Sequence, residues 1–258
     1  MNVLNNFKGL LIDLEGVIYS GEEAIDGSIE TIEKLKKEFK IRYLTNTTTT
    51  SRNLIFQKLI NLNLSVNEED IFSPSIAINA FLKDKKIKNI SLIANEKINS
   101  DFKEFNINSN NPDAVIMGDI YKDFNWDKLN NAFELLLKKE CLLIALHKNK
   151  YCKRNNKIAL DLGPFVNALE YASSKNAIVI GKPEKNFFDL AVKDLELIKD
   201  NILMIGDDIT SDIEGSINAS LKAIQVKTGK FQEKDLKYPT QPNYIIESIN
   251  DLPKLLGY

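Results

Sequence analysis

The sequence predicts an α/β protein in which a Rossmann-like parallel sheet is interrupted by a second, inserted α/β domain. Three observations lead to this interpretation. Short apolar, β-prone segments alternate with segments of helical periodicity, a separate set of such elements lies mid-chain, and four polar motifs directly follow apolar strands. In an open α/β sheet, ligands bind at the carboxyl ends of the strands. The sequence therefore predicts both a fold and the sheet edge that carries a site.

The first part of the chain has a β-α-β-α pattern. Strands are predicted at 8–13 and 41–45, where apolar and β-branched residues cluster. Between them, apolar residues at helical spacing predict a helix that Ser28 can cap, and a further helix is predicted from Ser51 to about residue 60. This order implies a parallel sheet with right-handed crossovers.

A second set of α/β elements is predicted from about residue 78 to residue 176. Strands are expected at 90–94, 113–117 and 141–147. One helix carries an aromatic and aliphatic stripe, which we interpret as core: Trp126, Leu129, Phe133, Leu136 and Leu137.

The first pattern then resumes. The predicted elements are strands 177–180, 201–205, 223–226 and 243–246 and helices 186–196 and 211–219. We therefore expect a core domain in two parts, 1–77 and 177–258, and an inserted domain at 78–176. Both core parts should share one parallel sheet, which includes strand 177–180.

Length, composition and charge exclude several classes of protein. The 258 residues are 43% apolar and 27% charged, which fits a folded chain of one or two domains. A net charge of −2 gives no reason to expect nucleic-acid or membrane partners. The N-terminus lacks a basic leader region and no apolar run approaches the ~18 residues of a membrane span, so we expect a cytoplasmic protein. Cys141 and Cys152 lack metal-site spacing and are expected to be buried or idle thiols.

Acidic residues follow apolar strands as phosphoryl transfer requires. Asp13 ends the segment LLID and is the candidate nucleophile, because a carboxylate that attacks phosphorus splits hydrolysis into two displacements. Asp207 and Asp208 follow LMIG; carboxylates close to Asp13 would repel it unless a divalent cation neutralised them, and Mg²⁺ suits such ligands. Asp208 and Asp212 are expected in supporting positions, and Asp212 would orient a water or Lys182. Alternatively, Asp208 or Asp212 only begins the next helix favourably.

Three further residues can bind a phosphoryl group. Thr45 ends the second predicted strand and Asn46 follows it, and both can donate hydrogen bonds to phosphate oxygens. Lys182, between Gly181 and Pro183, places a positive charge in a restrained loop. Each motif is weak alone, but their combination and order predict phosphate-ester chemistry.

These four segments, in this order and with this insertion, resemble the haloacid dehalogenase superfamily of phosphatases. The resemblance extends over nearly the whole chain. The further segments that carry it are NPDAVIMGD, HKNKYCKR, LGPFVNALEYA, GKPEKNFF and VKTGKF. They are similar to subfamily IIA, in particular to the haloacid dehalogenase-like hydrolase domain-containing 2 group and the phospholysine phosphohistidine inorganic pyrophosphate phosphatases. The resemblance implies a haloacid dehalogenase core with an inserted C2-type cap. It also implies Mg²⁺-dependent hydrolysis of a small phosphorylated substrate through an aspartyl-phosphate.

Carried over by position, the resemblance also implies roles for single residues. Asp13 would be the nucleophile, and Mg²⁺ would be held by Asp13, the backbone carbonyl of Glu15 and Asp207. The residues that would bind the transferred phosphoryl group are Thr45, Asn46 and Lys182. Capped relatives often dimerise, so a homodimer is also expected.

Position 15 departs from the superfamily, where an Asp two residues after the nucleophile usually acts as general acid and base. The two named groups tend to have Ser there, whereas this chain has Glu15. Its extra methylene shifts the carboxyl group by about one bond length, and a well-placed acid is worth about 10²–10⁴ in rate. Either Glu15 acts as the acid, or it points away and shapes the site.

The inserted domain offers candidates for substrate specificity. His147 and Lys148 follow a predicted strand, and 161–165 (DLGPF) is a second candidate. A structural or solvent-facing role for the single histidine is the alternative.

Two other functions compete with a phosphatase. A signalling receiver domain also combines Asp, Thr and Lys, but it is about half this length and has its acidic pair before the phosphoaccepting Asp. A catalytically weakened phosphate-binding or regulatory protein of the same fold is the remaining alternative, and Glu15 is its support. A nucleotide-binding loop is not indicated, because Thr228-Gly229-Lys230 lacks the upstream glycine that such a loop needs.

Overall fold

The computed structural model of the protein describes residues 6–154 and 157–257. These residues divide into two compact units. The core unit comprises the described residues of Met1–Asn46, Asn53–Phe72 and Lys182–Tyr258, and the second unit comprises those of Thr47–Arg52 and Ser73–Gly181. Residues 1–5, on which the expected lack of a leader partly depends, lie outside the described residues.

The described chain alternates strands and helices. In chain order the strands are β1 (Gly9–Asp13), β2 (Tyr19–Ser20), β3 (Glu23–Ala24), β4 (Lys40–Leu44), β5 (Ile71–Phe72), β6 (Asn89–Ile93), β7 (Asn106–Ile107), β8 (Ala114–Met117), β9 (Leu142–Ala145), β10 (Tyr151–Arg154), β11 (Lys157–Leu160), β12 (Ile178–Val179), β13 (Ile202–Gly206), β14 (Lys222–Val226) and β15 (Tyr244–Ile246). The α-helices are α1 (Ser28–Leu35), α2 (Arg52–Asn61), α3 (Pro74–Asp84), α4 (Trp126–Leu136), α5 (Leu162–Ser173), α6 (Lys185–Leu195), α7 (Gly215–Asn218) and α8 (Leu252–Leu256).

The core unit is built on a six-stranded sheet with the order β15-β14-β13-β1-β4-β5. All neighbouring strands in it are parallel. Strands β1 and β13 are buried along their whole length, which explains their continuous apolar sequences. Because β1 is central and the chain leaves it first on one side and then on the other, the order is Rossmann-like, as predicted. The switch point lies at β1, where ligands bind in such sheets.

The second unit contains a separate five-stranded parallel sheet with the order β12-β9-β8-β6-β7. Strands β10 and β11, which follow β9 in the chain, form an antiparallel hairpin. Val115, Leu143, Leu136 and Val166 belong to the buried apolar cluster of this unit, which joins sheet residues to residues of α4 and α5. The predicted α/β class, with a parallel core sheet and a separate α/β unit, is confirmed.

The strand predicted at 177–180 does not join the core sheet, and this expectation was wrong. Strand β12 pairs with β9 in the second unit, with Ile178 opposite Ile144. The reason is packing: Ala177 and Val179 contact the apolar cluster of the second unit. The core strand beside β1 is β13, and the core unit resumes at Lys182. The predicted division into 1–77, 78–176 and 177–258 stays a prediction.

The interpretation of the α4 stripe as core is wrong at two positions. Leu136 is fully buried, but Trp126 is 74% exposed and Leu137 is 64% exposed. At 100° per residue, these two lie about 80° and 100° around the helix from Leu136, outside the buried face. Ala132, one turn before Leu136, completes the buried face instead.

Two local predictions also differ from the structure. Gly27, not Ser28, precedes α1 as the cap, and the Ser28 hydroxyl donates to the Ile18 carbonyl at 2.7 Å. The predicted helix 211–219 begins as a π-helical turn, Ile209–Glu214, before α7. Across the described part of the chain, none of the helices is both long and apolar enough to span a bilayer.

Candidate active site

Asp13 lies at the carboxyl end of the central strand of the core sheet. Strand β1 consists of buried residues, and Asp13 is itself only 6% exposed. Its neighbours are β4, whose Leu44 is opposite Asp13, and β13, whose Ile205 is opposite Ile12. Because all three strands are parallel, the residues that follow β4 and β13 reach the same edge as Asp13.

Lys182 connects two of the buried carboxylates. Its ammonium group donates to Asp13 Oδ1 and, at 2.6 Å, to Asp212 Oδ1. Lys182 is 3% exposed and Asp212 1% exposed, so little water competes for these contacts. The sequence predicts that Asp212 could orient Lys182, and the two side chains do meet.

Asn46 holds the backbone of Lys182. Its side-chain amide nitrogen donates to the Lys182 carbonyl at 3.1 Å, and its side-chain oxygen accepts from the Lys182 N–H at 3.0 Å. This reciprocal pair of hydrogen bonds fixes the lysine loop to Asn46, directly after Thr45. Thr45 is buried, and its own N–H donates to the Phe72 carbonyl at 3.2 Å.

The two adjacent aspartates after β13 have different environments. Asp207 is 2% exposed, and its Oδ2 accepts from the backbone N–H of Lys230 at 2.7 Å. Asp208 caps the next helix, because its Oδ1 accepts from the N–H groups of Thr210 and Ser211 at 2.9 and 3.1 Å. Asp208 therefore matches the alternative that it begins a helix.

The electrostatics of the site show an excess of negative charge. Burial, and then the proximity of Asp212, raise the pKa of Asp13 to about 8 although Lys182 opposes the shift. Burial, with Asp212 again second, raises the pKa of Asp207 to about 6. Burial alone would lower the pKa of Lys182, but Asp13 and Asp212 outweigh it and raise the pKa. The contact with Lys182 therefore does not offset the effect of burial and of Asp212 on the pKa of Asp13.

Asp13, Asp207 and Asp212 together form a candidate divalent-metal site. One carboxylate oxygen from each lies within 4.8 Å of the others, and all three residues are buried. The donor set fits a hard cation such as Mg²⁺, which prefers carboxylate oxygens, and the excess charge favours a dication. The predicted set named Asp13 and Asp207 with the Glu15 carbonyl; the contribution of that carbonyl stays a prediction.

Glu15 is exposed and its side chain contacts the loop that follows it. Its Oε1 accepts from the N–H of Gly21 at 2.8 Å. The backbone of the same loop is closed by a hydrogen bond of 2.8 Å from the Gly16 N–H to the Tyr19 carbonyl. The carboxyl group of Glu15 therefore braces the turn before β3.

The candidate specificity residues have partners within the second unit. His147 is buried, and its Nε2 lies 3.6 Å from Asp161 Oδ1. Burial lowers the pKa of His147, although the Asp161 charge opposes the shift. Lys148 pairs with Glu170 at 2.6 Å. Asp161 caps α5 through a 2.9 Å hydrogen bond from the Leu162 N–H, so the stretch 161–165 begins a helix.

Sequence reasoning missed the residues 228–230, which contact both the nucleophile loop and Asp207. The Thr228 hydroxyl donates to the Gly16 carbonyl at 2.5 Å, and Lys230 supplies the N–H to Asp207. In the sequence this segment stands out only as an incomplete nucleotide-binding loop. Its place directly after β14, a strand beside β13, was a usable signal.

Comparisons with known proteins agree on one family. Residues 10–108 match the family described as haloacid dehalogenase-like hydrolase, and residues 179–252 match a second family described as HAD-hydrolase-like. The chain is 35% identical over 239 residues to haloacid dehalogenase-like hydrolase domain-containing protein 2 of Rattus norvegicus, covering 92% of this chain and 91% of that protein. It is 35% identical to phospholysine phosphohistidine inorganic pyrophosphate phosphatase of Homo sapiens, covering 92% and 88%.

Solved structures of similar fold cover nearly the whole length of the chain. The 4-nitrophenylphosphatase of Thermotoga maritima superposes with a TM-score of 0.85 at 24% identity, covering 98% of each chain. A mutant of the thermostable p-nitrophenylphosphatase of Bacillus stearothermophilus superposes with a TM-score of 0.83 at 28% identity, covering 96% of this chain and 98% of that one.

Proposed function

The chain belongs to the haloacid dehalogenase-like hydrolase family and is a phosphatase-type hydrolase, and we propose that it hydrolyses a small phosphorylated metabolite through an aspartyl-phosphate on Asp13, with Mg²⁺ as cofactor. The six-stranded unit is the haloacid dehalogenase core, and the five-stranded sheet belongs to the inserted C2-type cap. The observation that carries the proposal is the buried cluster of Asp13, Asp207 and Asp212, in which the Lys182 ammonium group contacts Asp13 and Asp212.

In the proposed reaction, an Asp13 oxygen forms a bond to phosphorus while the bond from phosphorus to the leaving group breaks. The leaving group departs with the electron pair. Water then attacks the phosphorus, gives up a proton, and releases phosphate while Asp13 returns as a carboxylate. Asp13, Asp207 and Asp212 would hold Mg²⁺, which would supply positive charge to the phosphoryl oxygens.

The lysine loop explains how the phosphoryl group would be held. Lys182 already contacts the Asp13 carboxylate, so a phosphoryl group on Asp13 would lie beside the ammonium group. Thr45 is the proposed second donor. Asn46, whose amide is bound to the Lys182 backbone, would act mainly by fixing that lysine.

Glu15 suggests which leaving groups the enzyme accepts. A general acid must reach the leaving-group oxygen, but the Glu15 carboxylate is bound to the Gly21 N–H. We therefore propose that the best substrates carry leaving groups that depart without a proton, such as acyl phosphates, phosphoanhydrides and aryl phosphates. The pyrophosphate and 4-nitrophenyl compounds in the names of the relatives are of this kind.

A substrate panel with Mg²⁺ tests this proposal. It contains acetyl phosphate, pyrophosphate, an aryl phosphate, sugar phosphates and nucleoside monophosphates, each assayed with wild type, Glu15→Gln and Glu15→Asp. If Glu15 only braces the loop, Glu15→Gln should change kcat/KM by the same factor for all leaving groups. A selective loss on alkyl phosphates, with a gain for Glu15→Asp, would instead make Glu15 the working acid.

A second candidate is a catalytically weakened phosphate-binding or regulatory protein of the same fold, favoured by the engaged carboxylate of Glu15. It would give one equivalent of covalent phosphate from acetyl phosphate without turnover. Steady release of phosphate on any member of the panel would exclude it. The expected homodimer is a separate proposal, which light scattering of the purified chain tests.

A further inference from the structure

Asp207 is held by the strand and loop that neighbour it in the core sheet. The side-chain amide of Gln225, on β14, donates to the Asp207 carbonyl at 3.1 Å. The loop after β14, residues 228–230, then donates its Lys230 N–H to Asp207 Oδ2 at 2.7 Å. Both the backbone and the carboxylate of Asp207 are therefore fixed from one side.

The same loop is tied to the segment after the nucleophile. The Thr228 hydroxyl donates to the Gly16 carbonyl at 2.5 Å. Gly16 lies three residues after Asp13, so a single side chain joins the loop that carries the nucleophile to the loop that holds Asp207.

Two glycines leave room for the Asp207 carboxylate. Gly16 has φ +87° and Gly229 has φ +70°, conformations that favour glycine. A Cβ at Gly16 would lie 2.2 Å from Asp207 Oδ2, and one at Gly229 would lie 2.1 Å from it. The Cβ at Gly229 would also lie 2.6 Å from the Gly16 Cα. The carboxylate thus fits between two backbones that tolerate no side chain.

We propose that the loop 228–230 is a positioning element for the metal site: it sets the orientation of the Asp207 carboxylate and, through Thr228, its distance from the nucleophile loop. The inference rests on the metal site of the proposed function. A peptide N–H is suited to this task, because it fixes Oδ2 without placing a full positive charge against the incoming cation. The Lys230 ammonium group is directed elsewhere, to Asp208 Oδ2 at 3.0 Å.

The size of the expected effect follows from other metal sites. Mutation of residues that orient a metal ligand without touching the metal typically lowers metal affinity or activity by about 10–100-fold. A loop that only completes the fold would change thermal stability instead and leave the affinity of the folded protein unaltered.

The first test measures Mn²⁺ binding to the full chain without substrate, by electron paramagnetic resonance of the free ion. Thr228→Val removes the hydroxyl group but keeps the shape, and we expect Mn²⁺ affinity to fall about 10-fold. Thr228→Ser keeps the hydroxyl group and should retain close to wild-type affinity. The matched control is Thr240→Val, which removes a hydroxyl group bound at 3.3 Å to Glu214, a residue of the same unit that is not one of the three clustered carboxylates.

The second test uses the glycines. Gly229→Ala should weaken Mn²⁺ binding by more than Thr228→Val, because the new methyl group displaces the Asp207 carboxylate. Gly257→Ala is the matched control: Gly257 has φ +89°, and a methyl group added there would meet nothing within 4 Å, so the variant reports backbone strain without a clash. Near-UV circular dichroism gives the folded fraction, and each affinity is expressed per folded protein.

The outcomes separate this inference from the proposed function. Wild-type Mn²⁺ affinity in both Thr228→Val and Gly229→Ala, with wild type binding the ion, would overturn the positioning role and leave the metal site standing. Absence of Mn²⁺ binding by wild type would overturn the metal site, and this inference with it. An equal loss of affinity in Thr228→Ser and Thr240→Val would show that the effect does not depend on the hydroxyl group of Thr228 and would also overturn the positioning role.

Discussion

The core unit and the second unit both place charged side chains near the ends of parallel strands, but they balance the charges differently. In the second unit the charges occur in pairs: His147 with Asp161, Lys148 with Glu170, and Arg154 with Asp119. In the core unit, Asp13, Asp207 and Asp212 cluster together, and the ammonium group of Lys182 contacts two of them, Asp13 and Asp212.

We interpret the paired charges of the second unit as structural and the carboxylate cluster of the core unit as a ligand-binding site. A buried carboxylate is costly unless a partner compensates it, so paired charges can persist as part of a folded unit. In the core unit, burial and then the charge of Asp212 raise the pKa values of Asp13 and Asp207. The comparison favours a structural role for His147 and Lys148, and their role in specificity stays a prediction.

Removing the nucleophile should give the largest effect. We expect Asp13→Asn to lower phosphate release by about 10⁴-fold or more, because an amide cannot form the aspartyl-phosphate. The measurement is kcat with acetyl phosphate, together with trapping of labelled phosphate on the protein. Circular dichroism should show an intact fold. Wild-type turnover in the variant would end the assignment of Asp13 and would remove the functional meaning of the charge excess.

Asp207→Asn should weaken Mg²⁺ binding more than it slows the chemical steps of the Mg²⁺-bound enzyme. The variant removes one negative charge from the cluster, so we expect Mg²⁺ affinity to fall about 100-fold and excess Mg²⁺ to restore part of kcat. A titration of rate against Mg²⁺ measures this. A variant whose kcat falls without any change in the Mg²⁺ dependence would argue against Asp207 as a ligand. Asp208→Asn is the control, because Asp208 caps a helix instead of joining the cluster.

Asn46→Ala tests whether the lysine loop must be held. The variant removes two hydrogen bonds to the Lys182 backbone, at 3.0 and 3.1 Å. We expect kcat/KM to fall about 10-fold through misplacement of the ammonium group, with little change in Mg²⁺ affinity. An unchanged rate would mean that the contacts of Lys182 with Asp13 and Asp212 suffice to place it. A parallel loss of Mg²⁺ affinity would instead indicate that Asn46 supports the whole cluster.

Much of the fold was accessible from sequence because buried parallel strands have continuous apolar sequences. The segments at β1, β13 and β14 were recognised within one residue at each end. The short edge strands β5 and β7 were missed, since two residues carry no periodicity. The sheet to which β12 belongs was predicted wrongly for a related reason. An apolar sequence does not indicate which of two sheets a strand joins, because only its packing decides this.

The candidate site was predictable where strand ends carry unusual residues. Asp13 and Asp207 were found because polar groups after neighbouring parallel strands converge at one edge of the sheet. Lys182 was found from its Gly-Lys-Pro motif, although the strand before it, β12, joins the sheet of the second unit. The contact between Asn46 and Lys182 was not predictable, because it joins residues 136 positions apart and uses only the backbone atoms of Lys182. The role of 228–230 was hidden for the same reason, since its main contact to Asp207 is a peptide N–H that any residue except proline supplies.

The smallest expected effect concerns the paired charges of the second unit. Burial lowers the pKa of His147, while the charges of Asp161 and Asp119 raise it and that of Arg154 lowers it. The folded state thus favours the neutral ring. The stabilising contribution of the neutral ring is complete above the ordinary pKa of histidine and is lost as the pH falls through the lowered value.

His147 is the only histidine of the chain, so His147→Gln removes this histidine titration. We expect wild type to lose more stability than the variant as the pH falls from 7 to 5, which would appear as a larger fall in Tm for wild type than for the variant. Asp13 and Asp207 titrate in both proteins and cancel in the difference, and Lys148→Met serves as a neighbouring control. Parallel Tm curves for wild type and His147→Gln would mean that the ring does not titrate against the fold, and the structural interpretation of this pair would then lose its support.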